Sequence, residues 1–144
     1  MRRSSRRGLA RLVLAGAVLL GGYCVAAAQA ARAGREFRLK AGRVLTLDGG
    51  GLRVRFLRVS SDSRCPADVD CVWAGNAEVL FEVGARAWRG RKTLALNTNA
   101  SPERPGEGRH GRYTLKLVAL APQLRSRRKI AAGRYTATLL VVRE

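Results

Sequence analysis

The sequence predicts an all-β, single-domain antiparallel β-sandwich of about seven strands, with a small β-barrel as the alternative. Three observations predict it. Apolar residues recur at every second position in run after run. Gly, Pro, Asn and Asp gather between the runs. No strand–helix–strand alternation appears, which excludes a parallel sheet covered by helices. The 144 residues are 47% hydrophobic, enough for one core but too few for a nucleotide-binding domain beside a substrate domain.

Residues 1–30 read as an address. Arg2, Arg3, Arg6, Arg7 and Arg11 form a basic start with no acid, and Leu9 to Ala28 is apolar and small. Ala28-Gln29-Ala30 puts small residues where a signal peptidase reads them. The expectation is a signal helix in a signal peptide, 1–30, cleaved near Ala30, with 31–144 as the exported domain. The competing reading is a retained membrane helix, since a bilayer takes roughly 17–25 residues to span. Arg11, the Gly and Ala content and the cleavage-type sequence favour the leader. Ser5-Arg6-Arg7-Gly8-Leu9 resembles a twin-arginine export signal, so that route and the general secretory route both stay open. Cys24 follows a bulky Tyr23, which suits lipidation poorly, and is expected to leave with the leader.

The strands follow in order. Phe37–Lys40 and Arg43–Leu47 are short and parted by Gly42. In Leu52–Ser60, Leu52, Val54 and Phe56 alternate with arginines before the phase shifts to Leu57 and Val59, as a β-bulge would shift it. Asn76–Gly84 sets Ala77, Val79, Phe81 and Val83 on one face. Ala87–Leu96 is a weaker run. Arg112–Ala121 sets Tyr113, Leu115, Leu117 and Ala119 on one face, and Gly133–Arg143 sets Tyr135, Ala137, Leu139 and Val141 on another. The expected stack is immunoglobulin-like in architecture, with outward arginines that discourage edge pairing. Two long loops remain, Ser61–Gly75 and Asn97–Gly111. The second carries two Pro and three Gly and is expected to be mobile. Gly106-Glu107-Gly108-Arg109-His110-Gly111 matches the dinucleotide Gly-x-Gly-x-x-Gly pattern, but it precedes a strand where the phosphate chemistry needs a helix N-terminus, so it reads as a flexible turn.

Loss of the leader takes five Arg and no acid, which lowers the net charge from +18 to +13 and leaves two cysteines, Cys65 and Cys71. An even count in an exported chain implies a disulfide, and two cysteines allow one pairing. That bond closes a loop of about seven residues, a stabilisation of roughly 2–2.5 kcal/mol by loop entropy. The spacing is too long for a Cys-x-x-Cys redox motif. Arg outnumbers Lys by 24 to 4, a bias that a GC-rich genome would produce without function. The functional alternative is an anionic partner met by three clusters: Arg53, Arg55 and Arg58; Arg86, Arg89, Arg91 and Lys92; Arg125, Arg127, Arg128 and Lys129. Aromatics are not interleaved with them as nucleic-acid stacking requires, so no nucleic acid is expected.

The run Asp62-Ser63-Arg64-Cys65-Pro66, five residues, Cys71-Val72-Trp73-Ala74-Gly75 resembles a family of uncharacterised bacterial exported proteins and lipoproteins. Leu96-Asn97-Thr98, the Tyr-led strand Tyr113–Leu120, Leu120-Ala121-Pro122 and the closing strand Tyr135–Val142 are similar to further features of it. The resemblance implies fold and export, and no activity.

Asp62, Arg64, Asp68, Asp70 and Trp73 are the candidate contact residues. Asp62, Asp68 and Asp70 are also candidate Ca²⁺ ligands, although the spacing is not that of an EF-hand, and the competing reading gives them turn-capping and Arg-pairing roles. Trp73 is either a stacking platform or, as a Trp beside a disulfide more often is, a plug in the core; the core role is expected. His110 stands alone, with no nucleophile motif near it. The function expected is therefore a non-catalytic binding protein, periplasmic or secreted, with no cofactor and the disulfide-clipped loop as its contact. Its partner would be an envelope protein or an anionic envelope component, with membrane attachment only through an uncleaved leader or lipidation. The alternatives are an electrostatic binder of anionic envelope components through the Arg clusters, and a Ca²⁺-binding domain.

Overall fold

Two four-stranded antiparallel sheets stack face to face in the computed structural model, which describes residues 32–144. The signal helix, the cleavage point and Cys24 lie outside the described residues. The strands are β1 (Glu36–Lys40), β2 (Val44–Leu47), β3 (Leu52–Asp62), β4 (Ala77–Gly84), β5 (Lys92–Asn97), β6 (Glu107–His110), β7 (Tyr113–Ala121) and β8 (Thr136–Arg143). One sheet has the order β2-β3-β4-β5 and the other β1-β8-β7-β6. The two sheets form a β-sandwich, and the winding is a meander. Each strand pairs with a sequence neighbour except β1, which pairs with β8 and so brings the two ends of the described chain together.

The alternation read from sequence sets the core. Leu52, Val54 and Phe56 of β3, Val79, Phe81 and Val83 of β4, and Ala137, Leu139 and Val141 of β8 are all buried in one cluster drawn from both sheets. Phe56 and Phe81 meet across the β3–β4 pairing with ring centroids 5.2 Å apart. Arg53, Arg55, Glu78 and Glu82 face outward on these two strands. Arg55 pairs with Glu82 at 3.3 Å, and Arg91 reaches the same carboxylate at 3.9 Å. The Arg53 and Arg55 guanidinium groups stand 4.8 and 5.0 Å from the Trp88 ring centroid. Ala87 and Trp88 take φ of 57° and 59°, so a left-handed turn after β4 carries the indole to these arginines. Side chains from the first two Arg clusters thus meet around Trp88 and Glu82.

The expected bulge in β3 is present. The register shifts between Phe56 and Arg58, which turns Leu57 to solvent, and again between Val59 and Ser61. A bulge that the periodicity did not signal lies in β7 between Leu117 and Ala119. It corrects the expected face: Leu120 is buried and Ala119 is exposed.

The segment Asn97–Gly111 departs from expectation. It contains β6, a strand beyond the seven runs read from the sequence, and is tied down. Asn97 donates to the Pro105 carbonyl from its backbone and its side-chain amide, at 2.9 and 3.2 Å, and the Gly106 carbonyl accepts from Leu117 N–H at 2.9 Å. His110 lies opposite Tyr113 in the β6–β7 hairpin. The glycine pattern has a packing reason: a Cβ on Gly108 would lie 3.0 Å from both Leu94 methyl groups. The flexible turn of the sequence reading is a strand kept thin so that Leu94 can close the core beneath it.

The facing of β8 can be checked directly. Leu139→Ala is expected to destabilise the fold by about 2–5 kcal/mol in a denaturant titration. Val142→Ala, at a position 45% exposed, is expected to stay within about 0.5 kcal/mol of the parent. Similar losses at both positions would contradict the strand orientation.

Candidate binding loop

The segment between β3 and β4 leaves one end of the sandwich as a closed ring. Cys65 and Cys71 form a disulfide with Cα atoms 5.9 Å apart. Below the ring, the two limbs pair like the start of a hairpin. Ser63 N–H donates to the Asn76 carbonyl at 2.7 Å, and Cys65 N–H to the Ala74 carbonyl at 3.0 Å. Gly75, at φ 68°, makes the close approach possible, because a Cβ there would sit 1.8 Å from the Ser63 carbonyl oxygen.

Arg64 and Asp62 fix this base to the other sheet. The Arg64 fork meets the Asp62 carboxylate at 2.8 and 2.7 Å, and the same guanidinium donates to the carbonyls of Leu120 and Pro122. The Tyr135 hydroxyl donates to Asp62 Oδ2 at 3.0 Å. The Asp62 and Arg64 side chains are only 7% and 14% exposed. Burial by itself would raise the Asp62 pKa, but the hydrogen bonds and charge of Arg64, with the Tyr135 hydroxyl, outweigh it and hold the carboxyl below its usual range. Burial first, then the bond to the Asp62 carboxylate, pushes the Tyr135 hydroxyl up.

Asp68 does a second tying job further along the ring. Ser126 donates to it from its backbone N–H at 2.9 Å and its hydroxyl at 2.8 Å, and these bonds lower the Asp68 pKa. Ala67 N–H donates to the Leu124 carbonyl at 2.9 Å. The loop therefore leans on the Pro122–Ala132 segment, where Arg125 and Arg128 bracket a tight turn. No helical turn forms between Pro122 and Ala131; a single 3-10 turn follows at Ala132–Arg134. A third anchor is the buried amide pair. Asn76 donates to Asn97 Oδ1 at 2.7 Å and accepts from Asn99 N–H at 3.0 Å, while Thr98 Oγ accepts from Ala77 N–H at 2.8 Å. Leu96-Asn97-Thr98 thus holds the foot of the cysteine loop.

Trp73 corrects the sequence reading. It is 82% exposed and Val72 is 91% exposed, so the indole is not a core plug. The disulfide does not bridge the two sheets. It closes a ring on the outside, with Cys71 itself exposed, and there is no interior beside it for a Trp to fill. The five candidate residues divide accordingly. Asp62 and Arg64 are turned into the fold, Asp68 is exposed but bonded to Ser126 of the neighbouring turn, and Asp70 and Trp73 face solvent. The carboxylates of Asp62 and Asp68 are turned to different donors, and no three His, Cys, Asp or Glu side chains gather as a metal site among the described residues. Sequence reasoning missed Tyr135 and Ser126, whose hydroxyls complete the two anchors. A hydroxyl near a lone Asp in sequence would have signalled neither, since both lie far along the chain.

No protein-family model, curated protein or solved structure matches this chain.

Arg64→Ala leaves a buried carboxylate without its cation, and the expected cost is about 3 kcal/mol in a denaturant titration. Arg64→Lys keeps the charge but cannot reproduce the fork, so it should recover only part of that loss. A loss below 0.5 kcal/mol, in the range of about what ordinary surface changes give, would remove the anchor.

The pH dependence follows from the depressed Asp62 carboxyl. Its contribution is complete above the unfolded-chain value and is lost as pH falls through the lower folded value. The stability gap between the parent and Asp62→Asn should therefore be widest near neutrality and narrow on acidification. A gap independent of pH would contradict the assignment.

Proposed function

We propose that this chain is an exported, non-catalytic binding protein whose contact is the Cys65–Cys71 loop. One observation carries the reading: a loop locked by a disulfide and by Arg64 presents a nearly fully exposed Val72-Trp73 pair. Exposed large apolar groups cost solubility, and a rigid frame spares a binder the entropy of ordering its contact residues. The loop's polar side chains are largely occupied in holding its shape, which suits recognition better than chemistry. The disulfide fits an oxidising compartment, periplasmic or extracellular, reached through the leader over residues 1–30. Membership in the exported family with the Cys-Val-Trp-Ala-Gly motif belongs to the same proposal.

The test uses a photo-reactive amino acid at position 73 and, separately, at Val44 on the edge strand β2, in chains produced in a bacterial host. Irradiation of the intact envelope should give an adduct from position 73 and none from position 44. Equal yields, or no adduct from either, would overturn the loop as the contact. Intact mass of the same protein should start near residue 31 with the disulfide formed. A retained leader with both thiols open to alkylation would overturn export.

A further inference from the structure

We infer that the Cys65–Cys71 loop and the Arg125–Lys129 turn together form a docking surface for an anionic lipid bilayer. This rests on the loop being the contact and names what it touches. Val69, Val72 and Trp73 are the apolar side chains the loop turns outward, at 46%, 91% and 82% exposure. They protrude on a ring whose backbone is partly satisfied from within: Val69 N–H donates to the Pro66 carbonyl at 3.2 Å, and Cys65 N–H to that of Ala74 at 3.0 Å. A protruding Trp with aliphatic neighbours suits the headgroup boundary of a bilayer, where an indole keeps one edge wet.

The basic turn supplies the second half. Asp68 and Ser126 join it to the loop, and the residue after Asp68 is Val69, so cations and apolar tip share one continuous surface. Arg125, Arg127 and Arg128 line a pocket of about 360 Å³ with Asp68. The Asp68 carboxylate is held by Ser126, and among the described residues none of these arginines, nor Lys129, takes part in an ion pair. Three guanidinium groups with open donors around one concavity match a lipid phosphate. The charge of the whole chain points the same way, at +18 with the leader and +13 without it. An anionic surface is favoured over a protein partner because the exposed apolar residues adjoin a turn in which Arg125, Arg127, Arg128 and Lys129 outnumber the nearby Asp68 and Asp70. Amphipathic surfaces that rest on anionic bilayers have this arrangement. Asp70 is the opposing feature: an exposed carboxylate between Val69 and Cys71, with the wrong sign for this surface. It supplies a sharp test.

The full mature chain is mixed with vesicles of phosphatidylcholine alone and of phosphatidylcholine with phosphatidylglycerol, and binding is read by co-sedimentation. Binding is expected only to the anionic vesicles and should weaken steeply from low to moderate ionic strength. Asp70→Asn should tighten it about fivefold, and Arg127→Gln weaken it about fivefold, one charge each near the surface. Trp73→Ser should weaken it about tenfold or more through lost apolar burial. In a Trp88→Phe background, the remaining Trp73 emission should shift to the blue on binding and be quenched by brominated lipid. Asp70, Trp73 and Arg127 are exposed, Trp88 is half-buried, and unchanged thermal midpoints will show that the variants, the Trp88→Phe background included, fold; a gain from Asp70→Asn cannot come from misfolding. Absence of vesicle binding would overturn the inference, as would binding that neither Trp73→Ser nor Asp70→Asn alters. A protein adduct from position 73 without vesicle binding would overturn the lipid partner and leave the loop as the contact. Failure of both experiments would overturn both.

Discussion

Arg64 connects what would otherwise be two independent features, the end of one sheet and a ring of surface residues. Its guanidinium holds Asp62 at the end of β3 and reaches the carbonyl oxygens of Leu120 and Pro122 at the end of β7, in the opposite sheet. Tyr135, just before β8, completes the knot through the same carboxylate. A planar fork with several donors is needed for this geometry, and an ammonium group would satisfy only part of it. Because Arg64 adjoins Cys65, whatever fixes the guanidinium also fixes the first half-cystine. The orientation of the ring, and with it Val72 and Trp73, follows from that knot.

The disulfide and Asp68 act on different degrees of freedom. The sulfur bridge shortens the loop in the unfolded chain as well as in the folded one, so its contribution comes largely through the unfolded state. The Asp68–Ser126 bonds exist only when the two loops are folded against each other. Asn76 and Asn97 act at the foot of the loop, where a buried amide pair is tolerated because neighbouring backbone groups satisfy it. The result is a loop with a rigid base and an apolar tip, carried on one end of the sandwich.

Much of the sheet was legible in the sequence, for a simple reason. In β4 and β8 the apolar residues fall on every second position without interruption, and those strands bury the side chains the alternation assigned to the core. Legibility ended where the period broke. The bulge in β7 replaced Ala119 by Leu120 in the core, and two adjacent apolar residues do not announce which one turns inward. β6 was missed because Gly106 and Gly108 look like turn residues, whereas the close approach of Leu94 is what requires glycine at 108. Trp73 was misplaced because a Trp beside a half-cystine packs inward only when the bridge joins two sheets; here it spans neighbouring limbs of one loop. The partners of Asp62 and Asp68 were beyond reach of local pattern, as Tyr135 and Ser126 meet them only through the tertiary fold.

The pairing of β1 with β8 has a consequence for how the molecule comes into being. A polypeptide that leaves the ribosome or crosses a membrane amino end first presents residues 36–40 long before residues 136–143. Until those last residues arrive, the first strand has no neighbour in its own sheet, and Leu39 has no interior to enter. The domain cannot lock early. The sheet β1-β8-β7-β6 gains its β1 edge only when residues 136–143 are at hand, so its completion joins segments about a hundred residues apart.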